Sequence, residues 1–314
     1  MDDKISPFSV DKKFKTAKKF IQYILEDDYF TINDYRDTCS STTSTYIFRG
    51  QPNSEMKLTP SVFRSNNTFD DHSLQAPNKG DRNYLGRHLK AEEYSVFKFL
   101  EYADSVGIES PIDYSTSDIH SKLLTSELNN KNHVEFNNTF PDPKLHSAFA
   151  FAQHYGVPTR LLDWSESPFI AAYFAAQEHV LSPNDKLGEY FSIFCLSTQL
   201  VNNRNCENLC LVKAPRASNH FLQAQRGIFT LNLDANNYYK TNGCWPSIED
   251  NVSDIMKVTS FSKRPLIKLS LPSTEAINLL RILYKMNITK LTLMPSLANA
   301  ALDFQYRKKL FSGK

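Results

Sequence analysis

Glycine is scarce, with nine in 314 residues. Nucleotide folds of the common kind need a glycine-rich turn between a strand and a helix. The chain holds no G-x-G-x-x-G, no P-loop, no H-E-x-x-H and no G-x-S-x-G run. The dinucleotide, P-loop, zincin and α/β-hydrolase templates therefore fit poorly. An excess of charge of one sign is also missing. Lys and Arg number 36 and Asp and Glu 34, a net charge of +2. A bulk electrostatic footprint for nucleic acid is thus absent, and only a local basic patch is left open. No run approaches the about 18 apolar residues of a membrane span, and the first twenty residues lack the apolar core of a secretory signal. The expectation is a soluble cytoplasmic protein with no membrane partner. The cysteines are few and odd in number: Cys39, Cys195, Cys206, Cys210 and Cys244. They read as reduced thiols. Cys206 and Cys210, with Cys195 upstream, lack a second ligand pair, so no metal is expected.

What is present is an ordinary globular composition, 41% hydrophobic and 22% charged, enriched in aromatics (22 Phe, 15 Tyr). The length suits one large domain or two small ones. Residues 11–27 space Phe14, Phe20, Ile21, Ile24 and Leu25 near a helical period, between lysines. This opening helix sets an N-terminal helical segment, 1–40, apart from a compact domain over 41–314. Tyr46 to Gln51 reads as a short strand. A polar loop is expected over 65–88, a helix over 89–106 ending near Gly107, and a second polar loop over 108–142. Lys144–Tyr155 reads as a helix closed by Gly156 and Pro158. Thr159–Trp164 reads as a buried strand, and Pro168 starts an Ala-rich helix. Strands follow at 189–196, 228–233 and 266–271. Ser273 or Thr274 is expected to cap a last regular helix. A segment at 288–294 and a short C-terminal helix complete the chain, and the basic end reads as a solvated tail.

Chemistry concentrates in three places. Arg49, beside Gly50 at a strand end, offers a guanidinium fork and an approachable backbone, suited to a phosphate and a planar amide. A structural salt bridge beside a turn glycine is the plainer account. The segment from Gln153 to Ser165 crowds polar groups around Gly156 and Pro158. There His154 is a base, a ligand or a satisfied core imidazole. Arg160 and Asp163 pair with each other or line a pocket, and Trp164 is a pocket wall or a core filler. Third, Gln223 and Gln225 precede a strand, and an i, i+2 pair there aims both amides one way. Gln cannot serve as a general base, but its carbonyl can orient a hydroxyl. Serine or cysteine hydrolysis is weakly supported, since Ser165 lacks a nucleophile elbow and no cysteine sits in an electropositive motif.

Together these segments resemble the FRG domain, the family named for its Phe-Arg-Gly motif. The resemblance begins at Tyr46–Gln51 with Leu58–Arg64. It continues through Gln153–Trp164, the helix from Pro168, and Gln225–Phe229, and it ends near Pro295-Ser296-Leu297. At that last motif the family usually carries an acid, in place of Ser296. The order of motifs also resembles the R-S-E class of ADP-ribosyltransferases. The expected fold is α+β, a mixed and mainly antiparallel sheet flanked by helices, and the likeness implies that this sheet is split, with an NAD cleft between its halves. It implies Arg49 on NAD phosphate, Gly50 presenting its backbone to nicotinamide, and Ser165 (with Ser167 as substitute) as the middle motif. Gln225 then stands where the catalytic Glu is expected, and a dipole replaces a charge there. The resulting site comprises Arg49, Gln225, Ser165 and His154 for catalysis. For NAD it comprises Arg49, Gly50, Gln51, Thr159, Arg160, Asp163 and Trp164. Two readings follow. One is an NAD-using ADP-ribosyltransferase-like enzyme with a macromolecular acceptor, nucleic acid or protein, acting as a toxin or anti-phage effector. The other is a non-catalytic module that binds a nucleotide or a partner protein in such a system.

Overall fold

A computed structural model describes residues 8–26, 30, 46–64, 83–108, 140–181, 187–201, 208–214, 220–258 and 264–312. Among them run seven strands: β1 (Val10–Lys13), β2 (Tyr46–Gln51), β3 (Leu161–Ser165), β4 (Tyr190–Ser197), β5 (Leu209–Val212), β6 (Gly227–Asn232) and β7 (Leu266–Pro272). The α-helices are α1 (Ala17–Glu26), α2 (Tyr84–Ser105), α3 (His146–His154), α4 (Pro168–Leu181), α5 (Thr198–Val201), α6 (His220–Ala224), α7 (Ala235–Asn242), α8 (Ile248–Val258), α9 (Ala276–Lys285), α10 (Lys290–Leu293) and α11 (Leu297–Phe311). One mixed sheet holds all seven strands in the order β1-β7-β4-β2-β3-β6-β5. Only β1 and β7 run parallel; every other pair is antiparallel. The fold is thus α+β, a mixed sheet flanked by helices, as the sequence suggests.

The period-2 alternation of strand side chains sorts the core into layers. On one face Tyr46, Phe48, Phe191, Ile193, Ile267 and Leu269 pack with α1, α4, α9 and α11. Farther along that face Leu161, Phe229 and Leu231 pack under α2 and α3 as a separate cluster. The opposite face, with Ile47, Leu162, Trp164, Phe194, Leu196 and Ile228, packs continuously against α8. The break between the first two clusters falls between β2 and β3. Those two strands share a single register pair, Phe48 with Ser165, whereas β2 pairs with β4 at six positions and β3 with β6 at five. The sheet therefore opens at one seam.

Local chemistry explains the edges of that seam. Helix α3 ends in a left-handed Gly156 (φ 92°), with Val157 N–H returning to the Ala152 carbonyl, and Pro158 prevents its continuation. Helix α4 is alanine-rich because it lies on β2. A Cβ placed on Gly50 would stand 2.0 Å from the Ala171 carbonyl oxygen and 2.6 Å from Ala175 N.

Several expectations are corrected. Residues 10–13, assigned partly to the opening helix, form the edge strand β1, and α1 begins only at Ala17. Residues 84–88, assigned to a loop, open α2; 65–82 and 109–139 lie outside the described residues. Ser273 and Thr274 sit in a 3-10 turn, and the position before α9 is Glu275, with no side-chain cap bond. The last helix, α11, is not short but runs 15 residues, and Leu310 in its basic end is fully buried.

Candidate functional site

A cavity of about 550 Å³ opens at the seam. Its wall brings together Arg49, Gly50, Gln51, His154, Asp163, Trp164, Ser165 and Gln225, from segments spread over almost two hundred residues. Arg64, Gln153, Phe174 and Glu178 also line it. Thr159 and Arg160 do not reach it.

Arg49 crosses the gap that the β2–β3 ladder leaves open. Its Nη1 donates to the main-chain carbonyl of Asp163 at 2.7 Å and pairs with the Asp163 carboxylate, also at 2.7 Å. Its Nε is buried with no partner. The Asp163 side chain is 57% exposed, standing in the cavity where water reaches it. Crowding by the surrounding protein pushes its pKa up. The charge and hydrogen bond of Arg49, with the charge of Arg64, push it down further, so the carboxyl stays below its ordinary value.

Gln51 lies two residues beyond Arg49 on the same strand, 2% exposed, with its Nε2 buried and unpartnered. Its neighbour Gly50 is fixed by the approach of α4, which by itself explains why no side chain is present there.

Ser165 is fully engaged. Its hydroxyl donates to the Gln225 carbonyl at 2.8 Å and accepts from Ser167 N–H at 3.1 Å. It ties the end of β3 to the turn before β6 and to the start of α4. Gln225 is half-buried, and its Nε2 donates to the Leu293 carbonyl at 3.3 Å. Gln223 does not share its direction. It lies in α6, where a two-residue step turns the side chain well away, and it is exposed. His154 is half-buried; burial lowers its pKa, Asp163 opposes in part, and the ring is neutral at pH 7.

The two residues absent from the wall have structural partners. Arg160, 1% exposed, does not pair with Asp163. Its Nε and Nη2 hold the Glu92 carboxylate at 2.9–3.1 Å, its Nη1 donates to Asn236, and its guanidinium stacks on Phe140. Thr159, wholly buried, bonds to the Gln153 side chain. Trp164, 4% exposed, is chiefly core, with its indole N–H on Thr230 Oγ1 at 2.9 Å.

Arg64 is the site residue that sequence reasoning missed. It follows the 3-10 turn Ser61–Phe63, and its Nε donates to the Thr59 carbonyl at 3.0 Å. Burial, then the charge of Arg49, destabilise its protonated form, and Asp163 offsets part of this. The only sequence signal was its place at the end of the Leu58–Arg64 motif. At Pro295-Ser296-Leu297, Ser296 caps α11 by accepting from Asn299 N–H at 3.1 Å. Serine and aspartate are comparable helix caps, so the acid missing from that motif leaves the cap intact. Among the described residues no group of His, Cys, Asp or Glu is arranged to hold a metal, and Cys195, Cys210 and Cys244 form no disulfide. No helix of the described residues is long and apolar enough to cross a membrane.

Residues 44–183 match the FRG domain family model. The chain thus carries an FRG domain that includes Arg49, Arg64, His154, Asp163 and Ser165 and ends before β4. Gln225 and the Ser296 motif lie beyond the match. No curated protein and no solved structure matches the chain.

Proposed function

We propose that the FRG domain of this chain is the heart of an ADP-ribosyltransferase-like enzyme that uses NAD and modifies a macromolecular acceptor. One observation carries this reading. The Arg, Ser and Gln segments, far apart in sequence, lie on or directly before three neighbouring strands, β2, β3 and β6, and converge on one cavity where the sheet opens. The resemblance to the R-S-E class implies a split sheet with NAD in the cleft, and the single-pair contact of β2 with β3 supports it. In this reading Arg49 holds phosphate. The buried, unpartnered Nε2 of Gln51 offers a donor to an oxygen of the ligand. Ser165 acts by position, because both roles of its hydroxyl are taken inside the protein. Gln225 presents its amide dipole toward the reacting ribose. The reaction breaks the bond between ribose and nicotinamide and forms one to an acceptor atom, which loses a proton as nicotinamide leaves. The setting we infer from the family resemblance is a toxin or anti-phage effector.

A second reading, a module that binds a nucleotide without turnover, is favoured by the same Gln225. It carries no charge to stabilise an oxocarbenium-like transition state, and its Nε2 is occupied by Leu293. Incubation with NAD labelled on its adenylate, with lysate protein and nucleic acid supplied as acceptors, separates the two. Label on a macromolecule that is lost in Arg49→Ala and Gln225→Ala is the result expected of the enzyme. Saturable NAD binding with neither transfer nor nicotinamide release would overturn it in favour of the binding module.

A further inference from the structure

The Arg49 corner of the cavity is unbalanced in charge. Arg49 pairs with the Asp163 carboxylate, and Arg64, which forms no ion pair among the described residues, lines the same cavity within reach of both charges. His154 adds no negative charge, and Glu178, elsewhere in the lining, is not among the groups acting on Arg64 or Asp163. Both contacts to Asp163 fall on Nη1 of Arg49, and its Nε is buried without an acceptor. The Arg64 side chain makes one hydrogen bond among the described residues, through Nε to the Thr59 carbonyl. That bond leaves Nη1 and Nη2 of Arg64 without a hydrogen-bond partner among the described residues, in a side chain that lines the cavity. A part-buried excess of positive charge is costly unless an anion enters, and two planar forks suit two phosphate groups.

We propose that Arg49 and Arg64 form a two-armed clamp for a pyrophosphate, with Asp163 as a resident counter-ion that the ligand displaces. The inference rests on the nucleotide reading of the cavity and narrows it to ligands carrying two linked phosphates. Displacement is mechanically easy. The Asp163 carboxylate is more than half exposed and can turn into water. Its main-chain carbonyl remains behind to keep Arg49 across the seam. Asp163 thus competes with the ligand while holding the empty site in its binding geometry.

The test is calorimetric titration of the full chain with ADP-ribose, AMP and inorganic pyrophosphate, with folding of every variant checked by circular dichroism. Wild type is expected to bind the two diphosphate probes more tightly than AMP. Arg64→Met should weaken both diphosphate probes about 10- to 100-fold, the range for losing a hydrogen bond to a charged group, and weaken AMP much less. Arg64→Lys should fall between, since it keeps charge and loses the fork. Asp163→Asn should tighten the diphosphate probes by about tenfold. Wild-type affinity in Arg64→Met, an equal loss for AMP, or weaker binding in Asp163→Asn would overturn the clamp. If Arg64→Met fails to fold, Arg64→Lys and Asp163→Asn decide the matter by the same criteria. Binding of inorganic pyrophosphate without ADP-ribose would retain the clamp and reject the nucleotide reading. Failure of wild type to bind either would reject the clamp.

Discussion

Two arginines, Arg49 within β2 and Arg160 just before β3, show how burial assigns a role. Arg49 is 12% exposed, with its partner open to water, so its pairing contributes little to stability and leaves the charge available. Arg160 is 1% exposed, and Glu92 is entirely buried. His88 lies beside them, but burial and then the charge of Arg160 push its pKa down to about 3, so it stays neutral, and among the described residues Glu92 is the one acid paired with Arg160. Removing that balance strands a cation in the core. Glu92→Gln is therefore expected to cost about 3–5 kcal/mol of stability, whereas Arg49→Met should change it by no more than about 1 kcal/mol. Urea unfolding of both variants checks this. A smaller loss in Glu92→Gln than in Arg49→Met would mean that Arg160 is not the structural arginine of the pair.

At the scale of elements, the seam depends on how closely α4 lies on β2. The alanines of α4 permit the approach and Gly50 completes it, since even a methyl there meets helix backbone rather than a yielding side-chain tip. Gly50→Ala is expected to destabilise the fold by several times the about 1 kcal/mol of an ordinary substitution, with loss of ligand binding at temperatures where wild type still binds. A thermal melt alongside NAD titration tests it, and a melting temperature equal to wild type would refute the close contact. The same elements show what the sequence made legible. Strands β2, β3, β4, β6 and β7 and helices α3 and α4 stand out because their apolar periods are clean and Gly156, Pro158 and Pro168 mark their ends. Strand β1 does not, because three of its four residues are exposed and it gains its place only by pairing with β7, some 250 residues on. Helix α8 does carry a helical signal in Ile248, Val252 and Ile255, at i, i+4 and i+7, all of them buried. Within the site, Arg49, His154, Asp163, Ser165 and Gln225 were legible as residue types near turns. The pairing of Arg49 with Asp163 rather than Arg160, and the arrival of Arg64, depend on contacts far apart in sequence that no local pattern encodes.

For the whole molecule, the boundaries of the matched family and of the folding unit differ. The FRG match stops at residue 183, yet β2 finds its longest ladder in β4 and β3 finds its own in β6, both beyond that point. A chain cut to 44–183 would keep β2 and β3, which share one register pair. It would expose Phe48, Leu162 and Trp164, whose packing partners include Phe191, Phe194 and Ile228. Unpaired strand edges and bare apolar faces of this kind drive aggregation. We infer that the family-matched region cannot fold alone and that the sheet, from β1 to β7, is the cooperative unit. The expected result is a single urea transition for the full chain, with fluorescence and circular dichroism coincident. The 44–183 fragment should be insoluble, or give the spectrum of an unfolded chain. A soluble fragment with a cooperative transition of its own would show that the seam at β2–β3 is stable without its flanking ladders. Arg49 and Asp163 would then be held by local contacts, and the cavity would be a property of the FRG domain alone.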